Sequence, residues 1–274
     1  MPRPIVTTHQ VSIDRARRVV TKRFVERDRH QPEREWRALV LLAEHAPGLA
    51  PQPLSADLRA SPPVIEMSLL PGEPLGSAPV SAAQHSALTS ALLRLWESVP
   101  VSEVRLEPGE STNREQLAAS VRARLAACHD LGPDPVIAKA FAVGCKWFAS
   151  LRECADSPGP PPVFGRGDSN LANFLWDGDH VRLVDFEDSG HSDRAFELAV
   201  LVEHLGVWHD AGLDADGLIA AFDGLSTAAA ARLEEDRRLA ALLWLLILWP
   251  GGSASRRNPP GTLRRQAERL LSLL

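Results

Sequence analysis

The chain has no apolar segment long enough to span a membrane. Its longest apolar run, Leu239 to Trp249, is far below the roughly 20 residues that a bilayer requires, and it predicts a buried helix instead. The amino-terminal stretch Met1 to Ile5 has no apolar core of a secretion signal. We therefore expect a cytoplasmic protein, and 45% hydrophobic residues among 274 are enough for a sizeable core.

Cysteine is scarce, and positive charge is not concentrated in any block. Cys128, Cys145 and Cys154 are odd in number and lack metal-ligand spacing, so free thiols in a reducing compartment are expected. The 35 acidic residues outnumber the 30 basic ones, for a net charge of -5. Without a basic block, neither nucleic acid nor an anionic membrane is an expected partner.

Lysine is the rarest cation, because only Lys22, Lys139 and Lys146 stand against many arginines. Lys22 falls in a predicted strand over 18–25, on the same face as Val20 and Phe24 by the period of two. Two interpretations follow from this position. Either the ammonium meets a buried anion, because an unpaired buried charge is costly, or the strand is at an edge and the side chain extends to solvent.

Polar chemistry is concentrated in one stretch, 164–199. Phe174 to Trp176 and His180 to Val184 read as two strands, and Asp177-Gly178 between them is a hairpin turn signal. The hairpin brings its outer ends, Asp168 with Asn173 and Asp185, close together. Two carboxylates about 4 Å apart repel by roughly 4 kcal/mol at an effective dielectric near 20. A divalent cation would remove that repulsion, and carboxylate and amide oxygens with substrate phosphates suit Mg²⁺.

The same stretch resembles the aminoglycoside phosphotransferase and choline kinase-like family of small-molecule kinases. The family pattern is His-Gly-Asp-x-x-x-x-Asn, followed by Asp-Phe/Trp-Glu-x-x-x-x-Gly-Asp-x-x-x-Asp-Leu-Ala. In this chain it appears as Arg166-Gly167-Asp168 with Asn173, then Asp185-Phe186-Glu187, Ser192-Asp193 and Glu197-Leu198-Ala199. The resemblance implies an α+β, bilobal protein kinase-like fold. Residues 1–70 would form a small nucleotide-binding lobe with an antiparallel sheet and one helix, and residues 71–274 a larger, mainly helical lobe.

The resemblance also implies a role for each matching residue. Asp168 would be the catalytic base, Asn173 and Asp185 would hold Mg²⁺, and Lys22, oriented by Glu35, would neutralise ATP phosphates. Glu35 lies on the apolar stripe of a predicted helix, 32–45, and Glu33 is the alternative partner. The remaining assignments are the adenine site at Met67, Ser68, Leu69 and Leu70, structural bracing by Arg166 and Asp193, and an acceptor pocket with Glu203, Trp208 and Asp210.

Helical periodicity covers most of the rest of the chain. The predicted helices are 82–97, 113–128, 135–155, 195–208, 213–223, 227–249 and 262–274. In the family, the last of these helices build the acceptor pocket.

We therefore expect an ATP-dependent kinase that phosphorylates a hydroxyl of a small molecule, such as an amino sugar or amino alcohol. The expected partners are ATP, Mg²⁺ and that acceptor, and the chain would be a monomer or a homodimer. Two departures from the family pattern stand out: Arg166 replaces a histidine, and residues 6–19 contain no glycine for a phosphate-covering loop.

Two alternatives stay open. A pseudokinase would bind nucleotide without turnover, and a metal-dependent hydrolase would use the same carboxylates without Lys22. The peptide 165–169 also spells an integrin-binding sequence, which the surrounding kinase pattern makes a coincidence.

Overall fold

A computed structural model describes most of the chain, in eight stretches. They are residues 9–25, 30–76, 78–104, 113–127, 133–151, 161–222, 226–249 and 258–274. The chain divides into two compact units, of which the first comprises residues 1–112 and 163–192 and the second residues 113–162 and 193–274.

The first unit contains a four-stranded antiparallel sheet. Its strands are β1 (His9–Asp14), β2 (Val19–Phe24), β3 (Pro53–Asp57) and β4 (Val64–Ser68). The order across the sheet is β1-β2-β4-β3, so β2 is a central strand with Lys22 opposite Val11 on one side and Ile65 on the other. A central position explains why Lys22 is only 4% exposed.

Helix α1 (Gln31–His45) lies between β2 and β3 in the chain and contacts β3 and β4. It begins with Pro32 in its first turn, where the missing N–H has no cost. Its buried stripe includes Glu35, Ala38, Leu39 and Leu42, so Glu35 lies on the face that packs inward.

Short strands complete the first unit. They are β5 (Glu73–Pro74), β6 (Pro162–Gly165), β7 (Phe174–Trp176), β8 (Val181–Leu183) and β9 (Gly190–Asp193). β7 and β8 form the predicted hairpin, paired from Trp176–Val181 to Phe174–Leu183, and β5 pairs with β7. β6 pairs with β9, and helix α2 (Ala82–Ser98) packs against β8.

The second unit is helical over its described residues, apart from the strand ends at its boundaries. Its helices are α3 (Arg114–Ala127), α4 (Pro135–Ser150), α5 (Arg194–Val202), α6 (Ala215–Ala220), α7 (Thr227–Ile247) and α8 (Thr262–Leu273), with a π-helical segment at Gly206–Ala211. Helix α7 is central, since it contacts α3, α4, α5 and α8. Its residues 239–246 supply much of the core between α3, α4 and α8.

Most predicted elements are confirmed to within a few residues, but the helix predicted over 195–208 is wrong. Helix α5 ends at Val202, and the chain resumes as the π-helical segment at Gly206. The apolar pattern runs through the break, because Leu201, Leu205 and Val207 are all buried. Hydrophobic periodicity therefore carries no signal for this interruption. In the part of the chain that the structure describes, no helix is both long and apolar enough to cross a membrane.

Candidate active site

Side-chain hydrogen bonds shape the loop between β6 and β7. The Oδ1 atom of Asp168 accepts a hydrogen bond from the Asn170 amide at 3.0 Å, and the Asn170 side chain accepts one from the Ala172 amide at 3.0 Å. These bonds start a 3₁₀ turn at Leu171–Asn173, as Asx residues commonly do. The turn brings the Nδ2 group of Asn173 to 2.8 Å from Asp168 Oδ2.

The hairpin then brings Asp185 to the same end of the unit. The amide of Val184 donates to the Asn173 carbonyl at 3.0 Å, one residue before Asp185. Asp185 has a φ of 67°, in the left-handed region that non-glycine residues seldom adopt. Such strain is typical of functional positions and persists because the surrounding bonds fix the chain.

Gly167, immediately before Asp168, cannot be replaced without moving this loop. Its φ is 77°, and a Cβ atom added here would lie 2.1 Å from the carbonyl oxygen of Asp188. The close approach of these two backbone segments requires glycine. It holds the Asp168 loop against the segment that carries Asp185.

Lys22 is surrounded by three carboxylates. Its Nζ atom lies 3.2 Å from Glu35 Oε2, 2.5 Å from Asp185 Oδ1 and 2.8 Å from Glu187 Oε2. Of the two interpretations of Lys22, the structure therefore shows the buried and paired one. Glu35 is 1% exposed and also accepts a hydrogen bond from the Phe186 amide at 2.8 Å. Glu33, the alternative partner of Lys22, is partly exposed in the first turn of α1.

The cluster shifts the ionisation of its members. Burial acts to lower the pKa of Lys22, but Glu35, Asp185 and Glu187 outweigh it and raise that pKa above its ordinary value. Burial raises the pKa of Glu35, opposed by Lys22. Burial would also raise the pKa of Glu187, yet hydrogen bonds from His9 and Lys22 and their charges lower it to about 2. Lys22 is thus held as an ammonium.

Glu187 and His9 are site residues that sequence reasoning did not assign. Glu187 follows Asp185 by two residues, and its Oε2 atom lies 3.3 Å from His9 Nδ1 as well as near Lys22. The sequence did contain a signal for Glu187, because it is the third residue of the Asp-Phe-Glu motif and lies two residues after Asp185. No sequence signal pointed to His9, because its contact with Glu187 joins residues that are far apart in the chain.

The donor set fits a divalent cation. Carboxylate oxygens of Glu35, Asp185 and Glu187 lie within 4.8 Å of one another, and Lys22 balances one of their three charges. Carboxylate and amide oxygens are the ligands that Mg²⁺ prefers. The cluster therefore has the oxygen chemistry for that ion, and two of its members, Glu35 and Asp185, line one cavity with Asn173.

A cavity of about 270 Å³ lies in the first unit. Met67, Ser68, Leu69 and Leu70 lie in its wall together with Lys22, Glu35, Asn173 and Asp185; the other lining residues are His9, Val11, Ile13, Val20, Pro51, Leu175 and Val184. The structure therefore brings the predicted adenine segment and the predicted phosphate and metal residues to one cavity.

The two residues predicted to brace the site are both buried. Arg166 is 2% exposed and donates to the carbonyl of Val184 at 2.8 Å, next to Asp185. Its guanidinium carbon lies 4.4 Å from the ring centroid of Phe174 and 5.5 Å from that of Phe186, within cation–π range. Asp193 caps α5 by accepting from the Phe196 amide at 2.9 Å, and it binds Arg232 at 3.0 Å.

The residues predicted for the acceptor pocket lie in the second unit. Glu203 is fully buried, and its carboxylate accepts hydrogen bonds from Arg237 at 2.8 Å and from Arg269 at 2.7 and 2.8 Å. Through these hydrogen bonds the carboxylate links the end of α5 to α7 and α8. Trp208 is partly exposed on the π-helical segment, and the side chain of Asp210 lies outside the described residues.

The comparisons of this chain with protein families and with solved structures agree with one another. Residues 6–235 match the model of the phosphotransferase enzyme family. No curated protein matches the chain. Among solved structures, a choline/ethanolamine kinase family protein from Mesorhizobium loti superposes with a TM-score of 0.64 at 18% identity, over 99% of this chain and 86% of that one.

Two other solved structures contain nucleotides. Spectinomycin phosphotransferase, in complex with ADP and spectinomycin, has a TM-score of 0.59 at 12% identity, over 93% of this chain and 86% of that one. The GDP complex of aminoglycoside 2'-phosphotransferase-IIIa has a TM-score of 0.63 at 14% identity, over 98% and 90%. The fold is thus that of these small-molecule kinases, and because the family match covers most of the sequence, this chain belongs to the phosphotransferase enzyme family.

Proposed function

We propose that this chain transfers the γ-phosphate of ATP to a hydroxyl group of a small molecule such as an amino sugar or an amino alcohol. The observation that carries the proposal is the Lys22–Glu35 pair, 3.2 Å apart, in one cavity with Asn173 and Asp185. A lysine paired with a helix glutamate beside a metal-binding carboxylate is the arrangement that kinases use on nucleotide phosphates.

Asp168 is the proposed catalytic base. Both of its carboxylate oxygens accept hydrogen bonds, from the Asn170 amide and the Asn173 side chain, so the group is held in one orientation. It accepts the proton of the acceptor hydroxyl as that oxygen attacks the γ-phosphorus and the bond to the β-phosphate oxygen breaks, which leaves ADP. Phosphoryl transfer needs little covalent chemistry from the protein, so most of the rate comes from positioning and charge.

Lys22 carries a fixed positive charge for the ATP phosphates. Its raised pKa keeps the ammonium charged at every physiological pH, and Glu35 orients it from a fully buried position. Asn173 and Asp185 would hold Mg²⁺, which supplies further positive charge against the phosphate oxygens. The charge of Lys22, together with that of the bound Mg²⁺, would compensate for the missing glycines of residues 6–19.

The segment Met67–Leu70 is the proposed adenine site. The amide of Ser68 donates to the Gln52 carbonyl at 2.9 Å and the amide of Leu69 to the Arg18 carbonyl at 2.8 Å. Base recognition therefore falls to other backbone groups of the segment, with Met67 and Leu70 as apolar neighbours of the ring. In this proposal residues 1–70 supply the nucleotide-binding part and residues 71–274 the catalytic loop and the acceptor contacts.

Trp208 and Asp210 stay as candidates for acceptor contacts, and Glu203 is left out because two arginines bind it. A spectinomycin complex is known for one relative, which supports a search among amino sugars and amino cyclitols.

The experiment that tests the function is an acceptor screen. Purified protein with Mg-ATP and a panel of amino sugars, amino alcohols and sugars should release ADP only when an acceptor is present. Asp168→Ala should lower the rate by about 10² to 10⁴-fold, as the loss of a general base does, while Mg-ATP still raises the melting temperature. Asp185→Ala should remove the Mg²⁺-dependent part of nucleotide binding.

Asp179→Ala is the matched control, because Asp179 is an exposed carboxylate in the turn of the same hairpin. It should leave both the rate and the binding unchanged. Tight Mg-ATP binding with no turnover on any acceptor would favour the pseudokinase. Failure of ATP to change the melting temperature at all would contradict the kinase proposal.

A further inference from the structure

Strand β1 presents one of its faces to the proposed nucleotide cavity. His9, Val11 and Ile13 lie two residues apart on this strand and all three line the cavity, whereas Gln10 and Ser12 do not. Side chains alternate between the two faces of a strand, so this pattern assigns one whole face of β1 to the cavity wall. Val11 and Ile13 are both about half exposed, so a molecule bound in the cavity would cover apolar surface on this face.

The two ends of β1 lie at different ends of the cavity. In β2, Val19 pairs both with the last residue of β1 and with Ser68 of the proposed adenine segment. At the other end of β1, His9 pairs with Phe24, two residues beyond Lys22. Five residues of strand at about 3.4 Å each separate the two ends by about 17 Å. His9 is therefore the residue of this face that lies farthest from the adenine segment, at the end of the lysine and its carboxylates.

His9 is connected to Lys22 through Glu187. Its Nδ1 atom lies 3.3 Å from Glu187 Oε2, and the same oxygen lies 2.8 Å from Lys22 Nζ. Because an ionised carboxylate only accepts hydrogen bonds, the proton of this contact belongs to Nδ1. The ring of Phe24 lies 6.3 Å from the imidazole, centroid to centroid. These contacts fix the imidazole at the cavity wall, where its side chain is 25% exposed.

The phosphates of a nucleotide need a donor on this side of the cavity. Residues 6–19 contain no glycine, so this stretch lacks the glycine-rich loop that covers phosphates in protein kinases. The ammonium of Lys22 is already surrounded by three carboxylates. Of the three side chains of β1 that line the cavity, those of Val11 and Ile13 are hydrocarbon, and the imidazole of His9 is the one that can donate a hydrogen bond.

We propose that His9 binds the phosphate chain of the nucleotide and so supplies a contact that a glycine-rich loop supplies in other kinases. Nδ1–H stays on Glu187, and Nε2–H donates to a phosphate oxygen, while Val11 and Ile13 cover the base and the sugar. An imidazole with a proton on each nitrogen donates in both directions, and its bond to a phosphate is charge-assisted. This inference rests on the proposed function, because its ligand is the nucleotide of the kinase reaction.

The test compares adenosine, AMP, ADP and ATP, each with Mg²⁺, on the wild type and on His9→Ala. Calorimetric titration gives the Kd of each ligand. We expect the substitution to weaken ATP about tenfold or more, which corresponds to the loss of one charge-assisted hydrogen bond, and to leave adenosine unchanged. A merely structural role of His9 would weaken all four ligands alike, so the dependence of the loss on the phosphates is the decisive result.

The imidazole itself provides a second readout. In ¹⁵N-labelled protein, the ring nitrogen signals of His9 are those that His9→Ala lacks. They should shift in a saturable way with the Mg²⁺ complex of β,γ-imido-ATP and stay in place with adenosine. His9→Lys should restore part of the affinity for ATP, because an ammonium can donate to the same phosphate, whereas His9→Leu, which has bulk but no donor, should bind ATP as weakly as His9→Ala.

Gln10→Ala is the matched control, because Gln10 is exposed in the same strand and does not line the cavity. It should leave all four Kd values unchanged. Three results would each overturn the role of His9 and leave the kinase proposal intact: an unchanged Kd of Mg-ATP in His9→Ala, equal losses for adenosine and ATP, or His9 ring signals that do not move at saturating analogue. A wild type that binds none of the four ligands would contradict the kinase proposal itself, and the role of His9 with it.

Discussion

At the level of single residues, Lys22 is buried, and nearby carboxylates rather than water compensate its charge. Three carboxylates lie within 3.2 Å of its Nζ atom, and Glu35 is more deeply buried than the lysine itself. Burying two charges costs free energy that their attraction offsets only partly. The proposed role in binding phosphates therefore explains this buried pair better than a contribution to folding stability does.

That balance leads to a prediction for Glu35→Gln. The variant keeps an oxygen that can accept from the Phe186 amide but loses the charge that orients Lys22. We expect kcat/KM to fall about 10- to 100-fold, the equivalent of one charge-assisted hydrogen bond of roughly 1.5–3 kcal/mol, with the KM for ATP rising. The free energy of unfolding should not fall, because Lys22 keeps Asp185 and Glu187 as partners and is not left as an uncompensated buried charge.

Glu33→Gln is the matched control, since Glu33 lies two residues away on the same helix and is partly exposed. Steady-state kinetics and urea unfolding of both variants check the prediction. Equal losses in the two variants, or a large loss of stability in Glu35→Gln with unchanged kinetics, would contradict the orienting role.

The sequence was informative about some of these residues for physical reasons. Lys22 could be singled out because a chain that otherwise uses arginine placed a lysine on an apolar strand face, and Glu35 because it continued an apolar stripe. Asp185 and Glu187 approach the lysine across more than 160 positions of chain. The pairing of β2 in the sheet and the turn after β8 decide which carboxylates contact Lys22. Local sequence patterns do not predict such long-range contacts.

At the level of elements, helix α7 has an ionisable group at its packed face. Asp236 is fully buried and lies 3.3 Å from Arg114 of α3 and 3.7 Å from Arg232. Arg232 in turn binds Asp193, the cap of α5. Burial raises the pKa of Asp236 to about 7, although Arg114 and Arg232 act to lower it.

The direction of the shift predicts how stability depends on pH. Between its ordinary pKa near 4 and about 7, Asp236 keeps its proton in the folded protein and loses it in the unfolded chain. Its contribution to the free energy of unfolding therefore falls as pH rises through that window and is constant above it. Asp236→Asn cannot ionise, so relative to the wild type it should gain stability from pH 5 to pH 8, on the order of 3 kcal/mol.

Urea unfolding of both proteins at several pH values measures this difference. Glu268→Gln, on an exposed part of α8, is the control and should follow the wild type at every pH. A constant difference between Asp236→Asn and the wild type across the whole range would contradict the assignment.

Elements were predictable to the extent that their signals are local. The β7–β8 hairpin was placed correctly because Asp177-Gly178 specifies a turn, and Gly178 indeed has a φ of 104°. The end of α5 was missed because the apolar pattern continues through it. Arg237 and Arg269 bind Glu203 at that point, and nothing near Glu203 in the sequence announces arginines 34 and 66 residues away.

At the level of the whole molecule, the fold is shared with enzymes of low sequence identity. Structures at 12–18% identity superpose over more than nine tenths of this chain. Such divergence is possible because a packed core constrains side-chain volume and pattern more than identity. The family motif is specific enough to be read from sequence, whereas no comparable motif in the sequence identifies the acceptor.

The carboxylates around Lys22 predict that ATP binding to the proposed nucleotide cavity depends on Mg²⁺. Glu35 and Asp185 line this cavity beside the ammonium of Lys22, and Glu187 lies 2.8 Å from the same ammonium, so the carboxylates outnumber the lysine. Calorimetric titration with ATP should therefore give a Kd at least about tenfold higher in EDTA than with Mg²⁺, since like charges at this distance cost roughly 1 kcal/mol or more each. Glu187→Gln should narrow the gap, and equal affinities in both conditions would contradict the prediction.

The three carboxylates around Lys22 thus have a meaning beyond the chemistry of one turnover. If the cavity binds nucleotide as proposed, its excess of carboxylates would discriminate against a nucleotide that arrives without its metal, although such a nucleotide offers the same base and sugar. In a cell, occupancy of this site would follow the concentration of the magnesium complex rather than total ATP. A fall in free magnesium would then slow the enzyme even where ATP is abundant.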